Sequence, residues 1–123
     1  MHSKKEDLPT PFEIPVVKFG MQDGQGNMVI AYSEMPADPV DSLFEGLLNN
    51  CCHSPHWGFI FKGQITIQYN NGEKEVIKAG DVYHIPAGHI ATIDEDIAML
   101  EFSPEKEYTE VIEHIRKKMQ AMA

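Results

Sequence analysis

The sequence predicts a small all-β barrel that ends in one C-terminal α-helix. The segment from Gly80 to His89 places a Gly-Asp corner, a short apolar strand and a Pro-x-Gly turn directly before a histidine. The dipeptide Asn71-Gly72 separates two β-like runs and is a strong signal for a hairpin. After residue 103 the apolar residues change to helical spacing. These patterns favour a barrel of short strands with a pocket of the size that a metal ion needs.

Composition narrows the class of protein. A chain of 123 residues with 42% hydrophobic and 24% charged residues is typical of one globular domain. Its formal net charge of −9 repels phosphate backbones and anionic lipids, so no nucleic-acid or membrane partner is expected. No apolar run approaches the roughly 20 residues of a membrane span, and the charged start lacks a secretory signal, which predicts a cytoplasmic protein. The adjacent Cys51 and Cys52 do not form a disulfide scaffold.

The chain divides into three predicted parts. Residues 1–15 are expected to form an N-terminal arm without helix, because Pro9, Pro11 and Pro15 follow a charged start, and this arm is expected to dock on a partner subunit. Residues 16–103 form the barrel, and residues 104–123 form a helix packed on the barrel or on a dimer partner. The apolar surface of the arm and the helix predicts a homodimer.

Alternation and turn residues predict the individual strands. The strands cover residues 28–32, 57–62, 64–69, 73–78, 81–85, 89–93 and 97–102. An acidic turn at residues 94–96 is expected between the last two. Residues 41–48 fit either a short helical segment or an irregular loop.

The closing helix has a recognisable start and one apolar face. Ser103 is the expected N-cap, Pro104 the first helical residue, and Glu105 an acid facing the positive end of the helix dipole. The apolar face consists of Tyr108, Val111, Ile112, Ile115 and Met119.

Residues 51–104 resemble the cupin superfamily, in particular its small single-domain, conserved-barrel members. Gly80, Pro86 and Gly88 match the second cupin motif, and Gly63 matches the glycine that ends the first. The resemblance implies a double-stranded β-helix, or jelly-roll barrel, that binds a metal ion through three histidines and a glutamate.

The ligand positions depart from that pattern. His56 stands where the family has its glutamate, and the two preceding histidine positions fall at residues 50–52. In the second motif the family histidine would be Ala91, whereas His89 directly follows Gly88. The fold is therefore expected to follow the family, whereas the metal ligands are expected to differ from the family's usual set.

We interpret Cys52, His56 and His89 as ligands of a divalent transition metal, zinc or iron(II). Cys52 and His56 are four residues apart before one strand, and cupins place the hairpin that carries His89 across the barrel from it. A fourth coordination position would stay open for water or substrate. The alternative interpretation is a histidine with a local hydrogen bond and a cysteine acting as a small apolar residue.

Other residues near this site have open roles. Cys51 and His53 are alternate ligands, because the turn before Pro55 can present either neighbour inward. His84 is a candidate for the pocket lining. Glu101 either faces inward, where it needs a metal or a positive partner, or faces solvent. The remaining candidates are expected to be structural or exposed: Trp57, Phe59 and Phe61 as core or dimer contacts, and His2 and His114 as surface residues.

Two functions are consistent with these residues. The first is a metal-dependent enzyme that acts on a small molecule. The second is a non-catalytic module that binds or senses a small ligand, favoured by the loss of the usual ligand set.

Overall fold

The computed structural model describes residues 1–11, 17–39, 47 and 51–122. After a 3-10 turn at Lys5–Asp7 the strands are β1 (Lys18–Gln22), β2 (Met28–Met35), β3 (Asp38–Pro39), β4 (His56–Tyr69), β5 (Lys74–Lys78), β6 (Val82–Ile85) and β7 (His89–Pro104), followed by helix α1 (Glu105–Met122). The predicted all-β architecture with one C-terminal helix is confirmed. The segment 41–48, apart from Leu47, lies outside the described residues.

The two long strands β4 and β7 form the frame of the barrel. They pair antiparallel from Trp57–Phe102 to Tyr69–His89, with register shifts between Ile60 and Ile65. On one side of these shifts, β4 and β7 lie in a five-stranded sheet of order β1-β2-β7-β4-β6. On the other side they continue into a four-stranded sheet of order β3-β7-β4-β5. Two shared strands therefore connect both sheets, as in a jelly roll.

The predicted acidic turn at residues 94–96 is wrong, because β7 runs through it without a break. The acidic side chains find donors on neighbouring strands. Asp94 Oδ2 accepts a hydrogen bond of 2.6 Å from the Thr66 hydroxyl, and Asp96 Oδ1 accepts one of 3.0 Å from the backbone N–H of Ala37. These carboxylates are satisfied within an extended chain, so they do not reverse its direction. The two predicted strands 57–62 and 64–69 are likewise one strand, which bends at Gly63 with φ +90°.

The Asn71-Gly72 hairpin is confirmed. It joins β4 to β5, Gly72 has φ +88°, and the Gly72 N–H donates to the Tyr69 carbonyl at 2.9 Å. A positive φ is strained for residues with a side chain, which explains why glycine at this position signals the turn.

The core lies between the two sheets and under α1. The inner cluster consists mainly of isoleucines: Ile60, Ile65, Ile67, Ile77, Ile85, Ile93, Ile97 and Met99. Helix α1 buries Tyr108 and Ile112 against Val29 and Ala31 of β2, and its Val111 contacts Cys52. The predicted helix face therefore packs on the chain's own barrel. Among the described residues, no helix combines the length and the apolar character needed to cross a bilayer.

The two ends of the barrel domain differ from the sequence prediction. The 3-10 turn at Lys5–Asp7 was not predicted, and the residues around it contact the same chain: Met21 N–H donates to the Pro9 carbonyl at 2.8 Å. Ser103 is not a helix N-cap, because β7 continues through it to Pro104. The first free N–H of the helix, that of Glu105, donates instead to the Asn27 carbonyl at 2.9 Å.

Gly58→Ala tests the close approach of β4 to its neighbours. A methyl group at Gly58 would overlap the Leu100 carbonyl oxygen and the Tyr83 hydroxyl. We expect the free energy of unfolding to fall by about 2 kcal/mol or more, in the range of overpacked cores. Gly26→Ala is the control: nothing lies within 4 Å of its added carbon, so only the positive φ costs about 1 kcal/mol. Equal urea midpoints for the two variants would contradict this packing.

Candidate metal centre

Three side chains from separate segments meet in the barrel interior. His56 is the first residue of β4, in the five-stranded sheet, and His89 is the first residue of β7, in the four-stranded sheet. Cys52 is joined to the His89 strand by backbone hydrogen bonds: Cys52 N–H donates to the His89 carbonyl and Gly88 N–H to the Cys52 carbonyl, both at 2.8 Å. This bridge brings the thiol to the histidine pair although Cys52 belongs to neither long strand.

The separations between the three donors are short. Their ligand atoms all lie within 4.8 Å of one another, and Cys52 Sγ is 3.5 Å from His56 Nε2. The two imidazole rings have centroids 5.1 Å apart and meet edge to face. Bond lengths of about 2.3 Å to sulfur and 2.05 Å to nitrogen place the two donors about 3.6 Å apart around a tetrahedral metal. The Cys52–His56 separation therefore fits this donor set.

Hydrogen bonds orient both imidazoles. His89 Nδ1 lies 2.9 Å from the Pro86 carbonyl, which can only accept, so Nδ1 carries the proton and Nε2 has the lone pair. His56 Nδ1 is 2.7 Å from the Ser103 hydroxyl, which leaves His56 Nε2 facing Cys52. Metal-binding histidines commonly hold the non-ligating nitrogen in this way.

Burial sets the protonation of the three groups. Their exposed fractions are 2% for Cys52, 6% for His56 and 3% for His89. Loss of solvent lowers the pKa of His56 to about 3. Loss of solvent, together with the neighbouring His56, lowers the pKa of His89 to about 4. Both imidazoles are therefore neutral at pH 7. Burial raises the pKa of the Cys52 thiol to about 12, so without a cation the thiol keeps its proton.

Glu101 faces the barrel interior, which is one of the two orientations predicted for it. Its Oε2 is 3.7 Å from His56 Nδ1, and its Oε1 accepts a hydrogen bond of 2.9 Å from the Tyr83 hydroxyl. Tyr83 reaches Glu101 across Gly58, which pairs with both residues in the sheet. Burial raises the pKa of Glu101 to about 7, and the Tyr83 hydrogen bond opposes part of this rise. Glu101 contacts the Nδ1 edge of His56, whereas Cys52 contacts the Nε2 edge.

The alternate ligands lie elsewhere. Cys51 is half-buried beside Cys52, and both cysteines are free thiols. His53 points to the helix, where its Nε2 is 3.0 Å from Glu110 Oε2. His84 does not line the interior, because its ring stacks on Trp57 on the outer side of the sheet, with centroids 4.8 Å apart. His2 is exposed and His114 is half-buried.

Two residues that contact His56 were missed by the sequence analysis. Ser103 was assigned to the helix start, yet its hydroxyl is buried beside His56. The period-2 alternation of β7, which turns Met99, Glu101 and Ser103 to one face, is the signal that could have found it. Tyr108 was assigned to the helix core face. Its ring also stands edge to face with His56, with centroids 5.7 Å apart, and covers the site from the α1 side.

No family model matches the sequence, and no curated protein matches it. Solved structures do match. A protein of unknown function from Rhizobium leguminosarum has a TM-score of 0.57 at 12% identity, covering 84% of this chain and 93% of that one. A cupin superfamily protein from Desulfitobacterium hafniense has a TM-score of 0.52 at 15% identity, covering 83% and 98%.

The ethanolamine utilization protein Q from Salmonella typhimurium matches with a TM-score of 0.52 at 16% identity, covering 73% of this chain and 71% of that one. Identities this low show the fold and carry no information on activity. The jelly-roll topology agrees with these neighbours. The chain therefore has the cupin fold, as the glycine and proline motifs implied.

Proposed function

We propose that this protein binds one divalent transition metal ion through Cys52, His56 and His89. The observation that supports the proposal is the approach of their three ligand atoms to within 4.8 Å inside the barrel. Two neutral imidazoles, each with one nitrogen already engaged, need no further protonation change to bind a cation. The cost of burying three polar side chains is then offset by coordination.

The donor set indicates which metals fit. One thiolate and two imidazoles are borderline-soft ligands, which suit zinc or iron(II) and disfavour magnesium and calcium. We expect the pairing of a thiol with two histidines to select against the hard cations.

We further propose that the metal serves an enzyme acting on a small molecule. A metal held by these three side chains would supply Lewis-acid chemistry, either to a carbonyl group or to a bound water. The chain itself supplies a buried carboxyl group, Glu101, which is oriented by Tyr83 and touches His56. Tyr108 and Val111 of α1 exclude bulk water from the centre. A substrate therefore needs a route past this cover.

A non-catalytic binding or sensing module is the second candidate, and the low exposure of all three donors favours it. Closed centres are typical of structural metals, whereas catalytic metals keep an open position. Cobalt(II) substitution followed by titration with azide separates the two functions. A shift in the cobalt absorption bands requires an open position and supports the enzyme, whereas unchanged bands support the module.

The partner is proposed to be a small molecule, since the net charge of −9 disfavours nucleic acid. A homodimer also remains a proposal. The helix and the arm, from which the sequence predicted it, both contact their own barrel. A contact between two copies would therefore use another face.

Metal content tests the proposed centre. Protein purified without a histidine tag or added metal, then reloaded with zinc, is expected to hold one ion per chain by elemental analysis. Cys52→Ser and His89→Gln each remove one donor, so we expect metal affinity to fall more than about 100-fold, beyond the loss typical of outer-shell changes. Cys51→Ser and His84→Gln are matched controls that remove a neighbouring thiol and an outward imidazole. Equal zinc retention by all four variants would refute the assignment.

Proton release gives an independent measurement. The histidines are already neutral at pH 7, with pKa values of about 3 and about 4, whereas the Cys52 thiol, with a pKa of about 12, has to lose its proton on binding. The thiol should therefore contribute a rise in affinity of about tenfold per pH unit between pH 5 and 8. Calorimetry in buffers of different ionisation enthalpy counts the released protons.

Glu101 is a second source of protons, because its pKa is about 7 and a nearby cation lowers it. The Glu101→Gln variant removes that contribution and should still release about one proton per metal. Release of none by this variant would exclude the thiol as a ligand.

A further inference from the structure

We propose that two copies of this chain associate through the outer side of the five-stranded sheet. The surface in question, here called the outer aromatic face, is defined by Trp57, Phe59, Phe61, Val82 and Phe102. It is separate from the metal centre and does not depend on it.

Sheet register places these residues on one face. Trp57 is opposite Phe102 on β7, and Phe59 is opposite Val82 on β6. Because side chains alternate along a strand, the intervening His56, Gly58 and Ile60 face the interior. The prediction that the aromatic stripe belongs to the core is therefore wrong, and the alternative of a subunit contact remains.

The outer aromatic face is exposed to an unusual degree. The exposed fractions are 41% for Trp57, 53% for Phe61, 81% for Val82 and 36% for Phe102. Single exposed apolar residues are normal on protein surfaces, but contiguous ones indicate an interaction site. Here the rings are in contact with one another: Phe59 and Phe61 have centroids 5.1 Å apart, and Trp57 stacks on His84. These rings therefore form one contiguous apolar patch.

The exposed area is close to what a dimer needs. A complete large side chain has a surface of about 150 to 250 Å². With the exposed fractions given above, these four residues together expose roughly 400 Å² per copy. An interface in which about 57% of the area is apolar would then bury roughly 700 Å² per copy. Stable interfaces of standard size bury about 800 Å² per partner.

Charge restricts where a second copy can dock. Two chains with a net charge of −9 repel each other, so they can approach closely only where carboxylates are absent. The five residues that define the outer aromatic face carry no charge. At its β2 margin, Glu34 Oε2 accepts a hydrogen bond of 2.9 Å from the Tyr32 hydroxyl, and Lys5 Nζ donates to the same hydroxyl at 3.3 Å, so this carboxylate has a cation nearby. A two-fold axis through the outer aromatic face would pack the apolar side chains of one copy against those of the other, as in sheet-on-sheet packing.

Charge insertion tests the interface. Sedimentation equilibrium of the wild-type chain at about 1 to 100 µM should give twice the 13.9 kDa chain mass. Phe61→Lys and Val82→Lys would each bury a charged ammonium group in an apolar contact, and each should raise the dimer dissociation constant at least about 10-fold. Val76→Lys is the matched control, because Val76 is also exposed, at 48%, but lies on β5 in the other sheet.

The outcomes separate clearly. An unchanged dimer in both Phe61→Lys and Val82→Lys overturns the assignment of the face, and a monomeric wild type at every concentration overturns the dimer itself. Circular dichroism and zinc content should match the wild type in all three variants, because none of these residues contacts the metal centre. Added salt should strengthen the wild-type dimer by screening the repulsion between two acidic chains.

Discussion

The antiparallel pairing of β4 with β7 is the constraint on which the rest of the structure depends. Each strand pairs with the other in both sheets, so the bend near Gly63 turns one long ladder into two facing walls. His56 enters from one wall and His89 from the other. The shared strands are what bring His56 and His89, which are 33 positions apart in the chain, close together in space. The short backbone bridge from Cys52 to His89 then adds the thiol.

The interior next to this bridge is polar for so small a barrel. Cys52, His56, His89, Glu101 and Ser103 lie together between an isoleucine-rich core and α1. Within the described residues, no buried side-chain nitrogen or oxygen lacks a hydrogen-bond partner. Apolar side chains of equal volume would fill this space at lower desolvation cost. A satisfied polar cluster at one end of an apolar core is the pattern expected of a functional site.

The same strand β4 serves the interior and the exterior. Its inward residues, His56, Gly58 and Ile60, build the centre and the core, while Trp57, Phe59 and Phe61 face out. Side chains alternate between the two faces of the strand, so a shift of one residue in register would exchange the inward and outward sets. Gly58 adds a second constraint, since only a residue without a side chain lets Tyr83 reach Glu101.

The sequence by itself determined the barrel class, the Asn71-Gly72 hairpin and the helix face, because turns and periodicity depend on residues close together in the chain. It also identified Cys52, His56 and His89 as a candidate set, from spacing and from the cupin resemblance. Tertiary structure alone decided that β7 continues through the acidic residues 94–96, that Ser103 holds His56 instead of capping the helix, and that the aromatic stripe faces outward. Each of these outcomes depends on which distant strand supplies a donor or fixes the register, and local sequence does not encode that pairing.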